Sequence, residues 1–249
     1  AMMGSLFFLV QFLQDVQGYT AFEAGLRTLP VSVGMFAVAP FIGRLTARLG
    51  ARLPIVLGGL FAATSLFVLA TTLQPDTSYA TLWWQITLFG IGCGFMLTPL
   101  TAAVLSTTPP ERSGLGSSLL NTSRQIGITL GVAVLGAFVL QQFPGNIVSQ
   151  LTQRGLPASV SATIAGKMAA AGAGASQVPE TGNLPLPLAV LHQAISQAFV
   201  DTLHTTLLIA GICLLATTLL VACLLWQKQP ATKTSGVPAE ANVLTGASA

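Results

Sequence analysis

Arg124 is the residue of this 249-residue chain with the most chemistry to offer. It closes a set in which Ser117, Asn121 and Arg124 recur at i, i+4 and i+7, with Gln125 adjoining. On a helix that spacing places them along one face. A guanidinium beside a hydroxyl and two amides combines a permanent cation with both donors and acceptors. Such a stripe suits the binding of polar groups or the lining of a water-filled path. Counted along a helix that starts near Gly114, Arg124 lies about 15 Å in, at about 1.5 Å per residue. In a bilayer a charge at that depth is costly, so the residue is a functional candidate by default. If the helix instead projects beyond the bilayer, Arg124 would snorkel to lipid phosphates and serve only as an anchor.

A second stretch, Gly43-Arg44-Leu45-Thr46-Ala47-Arg48-Leu49-Gly50-Ala51-Arg52, joins three arginines to two glycines. Gly50 permits a tight turn, and the arginines can reach carboxylates or the carbonyl ends of neighbouring helices. Simple anchoring on one side of a membrane would account for the charges but not for both glycines. Gly90, Gly94 and Pro99 mark a third stretch, where glycines allow close packing and proline can kink a helix. A kinked wall that rocks and plain tight packing both fit it. Gln85, Phe95 and Thr98 are weaker candidates for lining a cavity there. Gly127 and Gly131 form a small-xxx-small pair suited to helix contact. His192 and His204 fall near an outer surface, as interfacial histidines. Cys93, Cys213 and Cys223 match no metal or redox spacing and read as small packing residues. The sequence offers no catalytic constellation, nucleotide-binding loop, metal set or cofactor motif.

The elements that must hold these residues are membrane helices. Hydrophobic residues make up 52% of the chain and charged residues 7%, with mean hydropathy +0.75. A soluble domain carries about 25% charged residues. No Asp, Glu, Lys or Arg lies between Arg52 and Asp76, between Asp76 and Glu111, or between Asp201 and Lys228. Each window exceeds the length of about 20 residues that spans a hydrocarbon core. Six segments emerge: about 1–13, too short to span and read as the end of a helix cut short, then 28–42, 53–73, 81–106, 114–140 and 199–226. Trp83, Trp84 and Trp226 stand at boundaries, where aromatics collect. The net charge of +3 is dispersed in short links and forms no nucleic-acid patch.

Arg44, Arg48, Arg52, Arg112, Lys228 and Lys233 fall in alternate links, which places those links and the C-terminus in the cytoplasm. The chain is thus expected to divide into five helices over 1–142, an extracytoplasmic loop with short amphipathic helices over 143–198, a last span over 199–227 and a disordered tail over 228–249. Within the loop, 146–154 and 157–171 read as short surface helices. Leu188, Leu191, Ile195 and Phe199 share a face that leads along the membrane surface into the last span.

Two of these stretches carry a family resemblance. Gly43, Leu45, Arg48, Gly50 and Arg52 resemble the second-half copy of the signature loop of the major facilitator superfamily. That loop's aspartate is Ala47 here, which removes the acid a charge relay would use. Residues 118–127, Ser-Leu-Leu-Asn-Thr-Ser-Arg-Gln-Ile-Gly, followed by Leu-Gly-Val-Ala at 130–133, closely resemble the penultimate span of the fourteen-span drug:proton antiporters. Residues 14–26, with Gly18-Tyr19 and Ala24-Gly25-Leu26, are similar to the loop after that family's first C-terminal-half helix. The resemblance implies an all-α polytopic membrane protein: a six-helix half of a major facilitator fold, three helices plus an inverted three. It implies export of amphipathic small molecules from the cell across the plasma (inner) membrane by proton antiport. Arg124, Asn121, Gln125, Ser117, Thr98, Phe95 and Gln85 would line the path, and the 43–52 stretch would form a cytoplasmic gate. The expected partners are the N-terminal half of the same transporter, the bilayer, the substrate and protons. No acid lies deep in a span, and in that family the important membrane acids lie largely in the N-terminal half. A facilitator half that imports a polar metabolite, and a non-transporting membrane scaffold, are the competing readings.

Overall fold

The computed structural model describes residues 1–109, 112–171 and 188–227, and all its regular structure is helical. A short helix α1 (Met2–Gln11) runs into a π-helical turn at Phe12–Val16. Then come α2 (Ala21–Leu49), α3 (Arg52–Thr72), α4 (Tyr79–Thr107), α5 (Ser113–Gln153), α6 (Ala158–Ala171) and α7 (Leu188–Gln227). Five of these, α2, α3, α4, α5 and α7, are long and apolar enough to cross a membrane. The chain is a multi-pass membrane protein. With α1 it supplies the six apolar segments read from the sequence, the first shorter than a span.

Local signals set the helix ends. Thr20 caps α2 by accepting from the Glu23 amide at 3.3 Å, while Glu23 accepts from the Thr20 amide at 2.9 Å, a reciprocal capping box. Gly50 ends α2 with φ +78°, a left-handed conformation that disfavours side chains. The link to α3 is only Gly50 and Ala51, so Arg44 and Arg48 ride on the last two turns of α2 and Arg52 opens α3. The expected loop is therefore mostly helix, because no residue from Gly43 to Leu49 interrupts the backbone ladder.

α3 is the central helix, with 56% of its membrane window buried against 11% for α2 and 17% for α5. α4 lies between α2 and α3 and uses glycines on both sides. Gly92 meets α3 at Ala62 and Gly58, and Gly90 and Gly94 meet α2 at Val31 and Met35. A Cβ on Gly92 would stand 2.6 Å from the Ala62 amide nitrogen. Backbones approach this closely only where side chains are missing.

The segment beyond residue 142 differs from the expected loop. α5 continues through Pro144 to Gln153, and α7 begins at Leu188 as one unbroken helix. At about 1.5 Å per residue each is roughly 60 Å long, twice a hydrocarbon core of about 30 Å. Phe143, Ile147 and Leu151 of α5 are buried, as are Leu191, Ile195 and Phe199 of α7 and Ile164 and Met168 of α6. Phe143 and Phe199 meet edge to face at 5.8 Å. Across the same seam Asn146 donates to the Thr202 hydroxyl and Gln150 to the Asp201 carboxylate, both at 2.9 Å. These contacts outweigh Pro144, whose cost is one lost backbone hydrogen bond and local crowding. The 146–154 piece belongs to α5, and α6 starts just after Pro157. The expected tail at 228–249 lies outside the described residues.

Candidate functional site

The polar stripe occupies the N-terminal half of α5, and its direction follows from the helix repeat. Leu135, Val139 and Phe143 are buried in the bundle. Eighteen residues make about five full turns. Ser117 therefore shares an azimuth with Leu135, Asn121 with Val139 and Gln125 with Phe143. The face that is apolar and covered in the C-terminal half becomes polar and uncovered in the N-terminal half. Leu115, Leu119, Ile126, Leu130 and Val134 occupy the other side and are exposed, as a lipid-facing row would be.

Ser117, Asn121, Arg124 and Gln125 are all exposed. Ser117 donates to the Gly114 carbonyl at 3.0 Å, and Gln125 lends its backbone carbonyl to Thr129. No hydrogen bond or ion pair joins Arg124 to another described residue. Beyond these bonds within α5, the side chains of Asn121, Arg124 and Gln125 make no hydrogen bond to the described protein, and the four residues form one exposed polar surface. At its C-terminal edge α1 seats on the same face: a Cβ on Gly4 would meet Leu135 Cδ1 at 2.7 Å and the Gly131 carbonyl at 3.1 Å. Gly131 itself has Ala1 against it, whereas nothing lies within 4 Å of a Cβ placed on Gly127. Half of that small-residue pair therefore makes no helix contact within this chain.

The α4 candidates separate. Phe95 is half-buried and packs edge to face on Phe61 at 5.9 Å, Thr98 is half-buried and Pro99 is buried. Gln85 is fully buried and lines no open surface. Its amide nitrogen donates to the Thr72 hydroxyl at 3.0 Å, that hydroxyl reaches the Val68 carbonyl at 2.8 Å, and Ser65 donates to the Gln85 carbonyl at 2.7 Å. Gln85 is a polar rivet between α3 and α4. Gln85→Leu is expected to lower the stability of the detergent-solubilised chain by about 1 kcal/mol, the net worth of one hydrogen bond. Thermal unfolding monitored by circular dichroism measures it, and an unchanged midpoint would show that the rivet contributes nothing.

At the C-terminal end of α2, Arg44 and Arg48 are exposed, Leu45 and Arg52 are half-buried, and the Thr46 hydroxyl is buried without a partner. Gly43 has open space around it, so only Gly50 meets a backbone requirement.

At the opposite end of α2 the structure adds a cluster that spacing does not reveal. The Arg27 guanidinium lies 3.5 Å above the Tyr19 ring and 5.6 Å from the Tyr79 ring, and the Tyr79 hydroxyl donates to the Arg27 carbonyl at 3.1 Å. The chain's two tyrosines thus hold one arginine and tie α2 to α4. Gln17 fastens the neighbouring links by donating to the Thr77 carbonyl at 2.8 Å. His204 lies 2.6 Å from the Leu73 carbonyl at the end of α3. No group of three potential metal ligands occurs among the described residues.

The structure is thus an all-helical membrane bundle with a polar, uncovered face on an otherwise lipid-compatible helix. The profile of the Major Facilitator Superfamily matches residues 1–132, just over half the chain, and the chain belongs to that family. It is 35% identical to the multidrug resistance protein Stp of Mycobacterium tuberculosis over 157 residues, 63% of this chain and 29% of that protein. It is 30% identical to the tetracenomycin C resistance and export protein of Streptomyces glaucescens over 210 residues, 84% of this chain and 38% of that protein. The multidrug export protein EmrB of Escherichia coli matches at 36% over 133 residues, 53% of this chain and 26% of that protein. The matched stretches thus span between about a quarter and two fifths of these relatives' own lengths.

Proposed function

We propose that this chain is the C-terminal half of a secondary transporter that exports amphipathic small molecules by proton antiport. The observation that carries the reading is the polar face of α5, which continues the buried face of its outer half yet has no protein against it here. A charge on that face suits a water-filled path or a second helical half, and lipid would be a poor partner. The relatives named for multidrug or tetracenomycin C resistance and export favour drugs over polar metabolites. The links at 50–51 and 108–112 would be cytoplasmic, as would the C-terminus, in the plasma (inner) membrane. The two halves would rock against each other around a central site, each an inverted pair of three-helix units. Protons would be carried by acids of the other half, since Asp15 lies in the π-helical turn after α1 and Asp201, about a third of the way along α7, is held by Gln150.

Cells that express the intact transporter are expected to accumulate several-fold less of a fluorescent amphipathic cation than vector controls, with the difference erased by a protonophore. Purified 1–249 in liposomes is expected to move none. Efflux that survives collapse of the proton gradient would overturn the coupling, and transport by 1–249 alone would overturn the half-transporter reading.

A further inference from the structure

Three elements far apart in sequence meet at the outer end of the bundle around a cavity of about 260 Å³. The link after α3 contributes Gln74 and Asp76, and α7 contributes His192, Gln193, Ser196 and Gln197, with the end of the π-helical turn closing one side. The volume falls below the roughly 300 Å³ at which drug-sized pockets begin, so the cavity suits a small ligand.

The lining is polar and unpartnered. Ser196 is only 4% exposed, yet its hydroxyl makes no hydrogen bond to another described residue. Thr202, Thr206 and Thr218 on the same helix all donate to the carbonyl one turn back, at 2.7–2.8 Å. The Ser196 oxygen keeps access to the cavity, so its partner is whatever occupies that space, water or a ligand. Gln74, Asp76, His192 and Gln193 are exposed and Gln197 is half-buried, and their side chains, which make no hydrogen bond within the described protein, are open to a ligand from solution.

The electrostatics select a cation. Among the described residues Asp76 is the sole carboxylate on the lining, and no described lysine or arginine lies there. α3 ends at Thr72, so its carbonyl end, which carries partial negative charge, adjoins this link, with the Leu73 carbonyl taken by His204. The positive end of α7 at Leu188 is about one turn from His192, where a helix dipole has largely faded.

We propose that this pocket binds a small primary ammonium. Its N–H groups match the Asp76 carboxylate, the glutamine amide oxygens and the Ser196 hydroxyl. Bound there, it would fasten the α3–α4 link to α7. The site is separate from the α5 polar face and does not depend on what that face transports.

The test is calorimetric titration of the full chain in detergent micelles at low salt, with ethanolamine as the probe and glycerol as the neutral comparison. Ethanolamine is expected to bind saturably and glycerol not at all. Asp76→Asn should weaken binding by roughly tenfold, through loss of a charge-assisted hydrogen bond. Gln193→Glu, which adds a second carboxylate, should tighten it several-fold, a gain that damaged folding cannot produce. Competition by short-chain phosphatidylethanolamine would identify a lipid headgroup as the source, and its failure to compete would identify a soluble amine. Absence of saturable binding, equal binding of glycerol, or unchanged affinity in Asp76→Asn overturns the proposal.

Discussion

Arg124→Ala in the intact transporter is expected to lower drug export by roughly tenfold or more, equivalent to about 1.4 kcal/mol of lost transition-state stabilisation, while membrane abundance stays near that of the parent. Abundance should hold because Arg124 is exposed and supports no contact among the described residues, so its removal opens no hole in the bundle. Export should fall because its face continues that of the buried residues Leu135 and Val139, which turns the guanidinium away from the apolar row Leu119–Ile126–Leu130. Arg124→Lys should restore part of the activity, since an ammonium keeps the charge but lacks the planar fork. Efflux rates at matched expression measure both variants. If arginine only anchors the helix to lipid phosphates, lysine will serve fully and alanine will cost little. Loss of protein in Arg124→Ala would assign the residue to folding instead.

The features legible in the sequence are those that depend on composition and on contacts along one helix. Charge-free windows and helical spacing located the apolar segments and the Ser117–Asn121–Arg124 stripe, because both are properties of a single stretch. Gly50 was legible because a positive φ has few solutions other than glycine. The length of α5 was not. Residues 143–153 contain Pro144, Gly145 and several polar side chains, and only the packing of Phe143, Ile147 and Leu151 on α7 and α6 keeps them helical. Gln85 read as lining because an amide in a span attracts a functional reading. Its partner Thr72 lies across the α3–α4 link, and no local pattern pairs them. The clasp of Arg27 by Tyr19 and Tyr79 likewise joins residues up to 52 positions apart. Tertiary partners at that separation leave no periodic trace.

The glycines permit a sharper comparison between packing made inside this chain and packing reserved for something else. Gly90 and Gly127 look alike in sequence, each in a glycine-rich apolar helix. A Cβ on Gly90 would overlap the Val31 carbonyl of α2, with Val31 Cα and carbonyl carbon both at 2.7 Å. These are backbone atoms of a helix already pressed against α4, so relief requires the two helices to part. Gly90→Ala is therefore expected to destabilise the detergent-solubilised chain by about 1–3 kcal/mol, the usual cost of overpacking, and Gly90→Leu by more. Gly127→Ala has open space and should instead stabilise the chain by about 0.5–1 kcal/mol, the helix propensity that alanine gains over glycine. In the intact transporter the second effect should change sign if a helix of the other half seats on Gly127, because the added methyl then meets a backbone. Thermal unfolding of each variant, in 1–249 and in the intact transporter, reads out all the differences. A Gly127→Ala gain that persists unchanged in the intact protein would place that surface against lipid or water. A neutral Gly90→Ala in either would show that α2 and α4 do not meet as closely as the glycines allow.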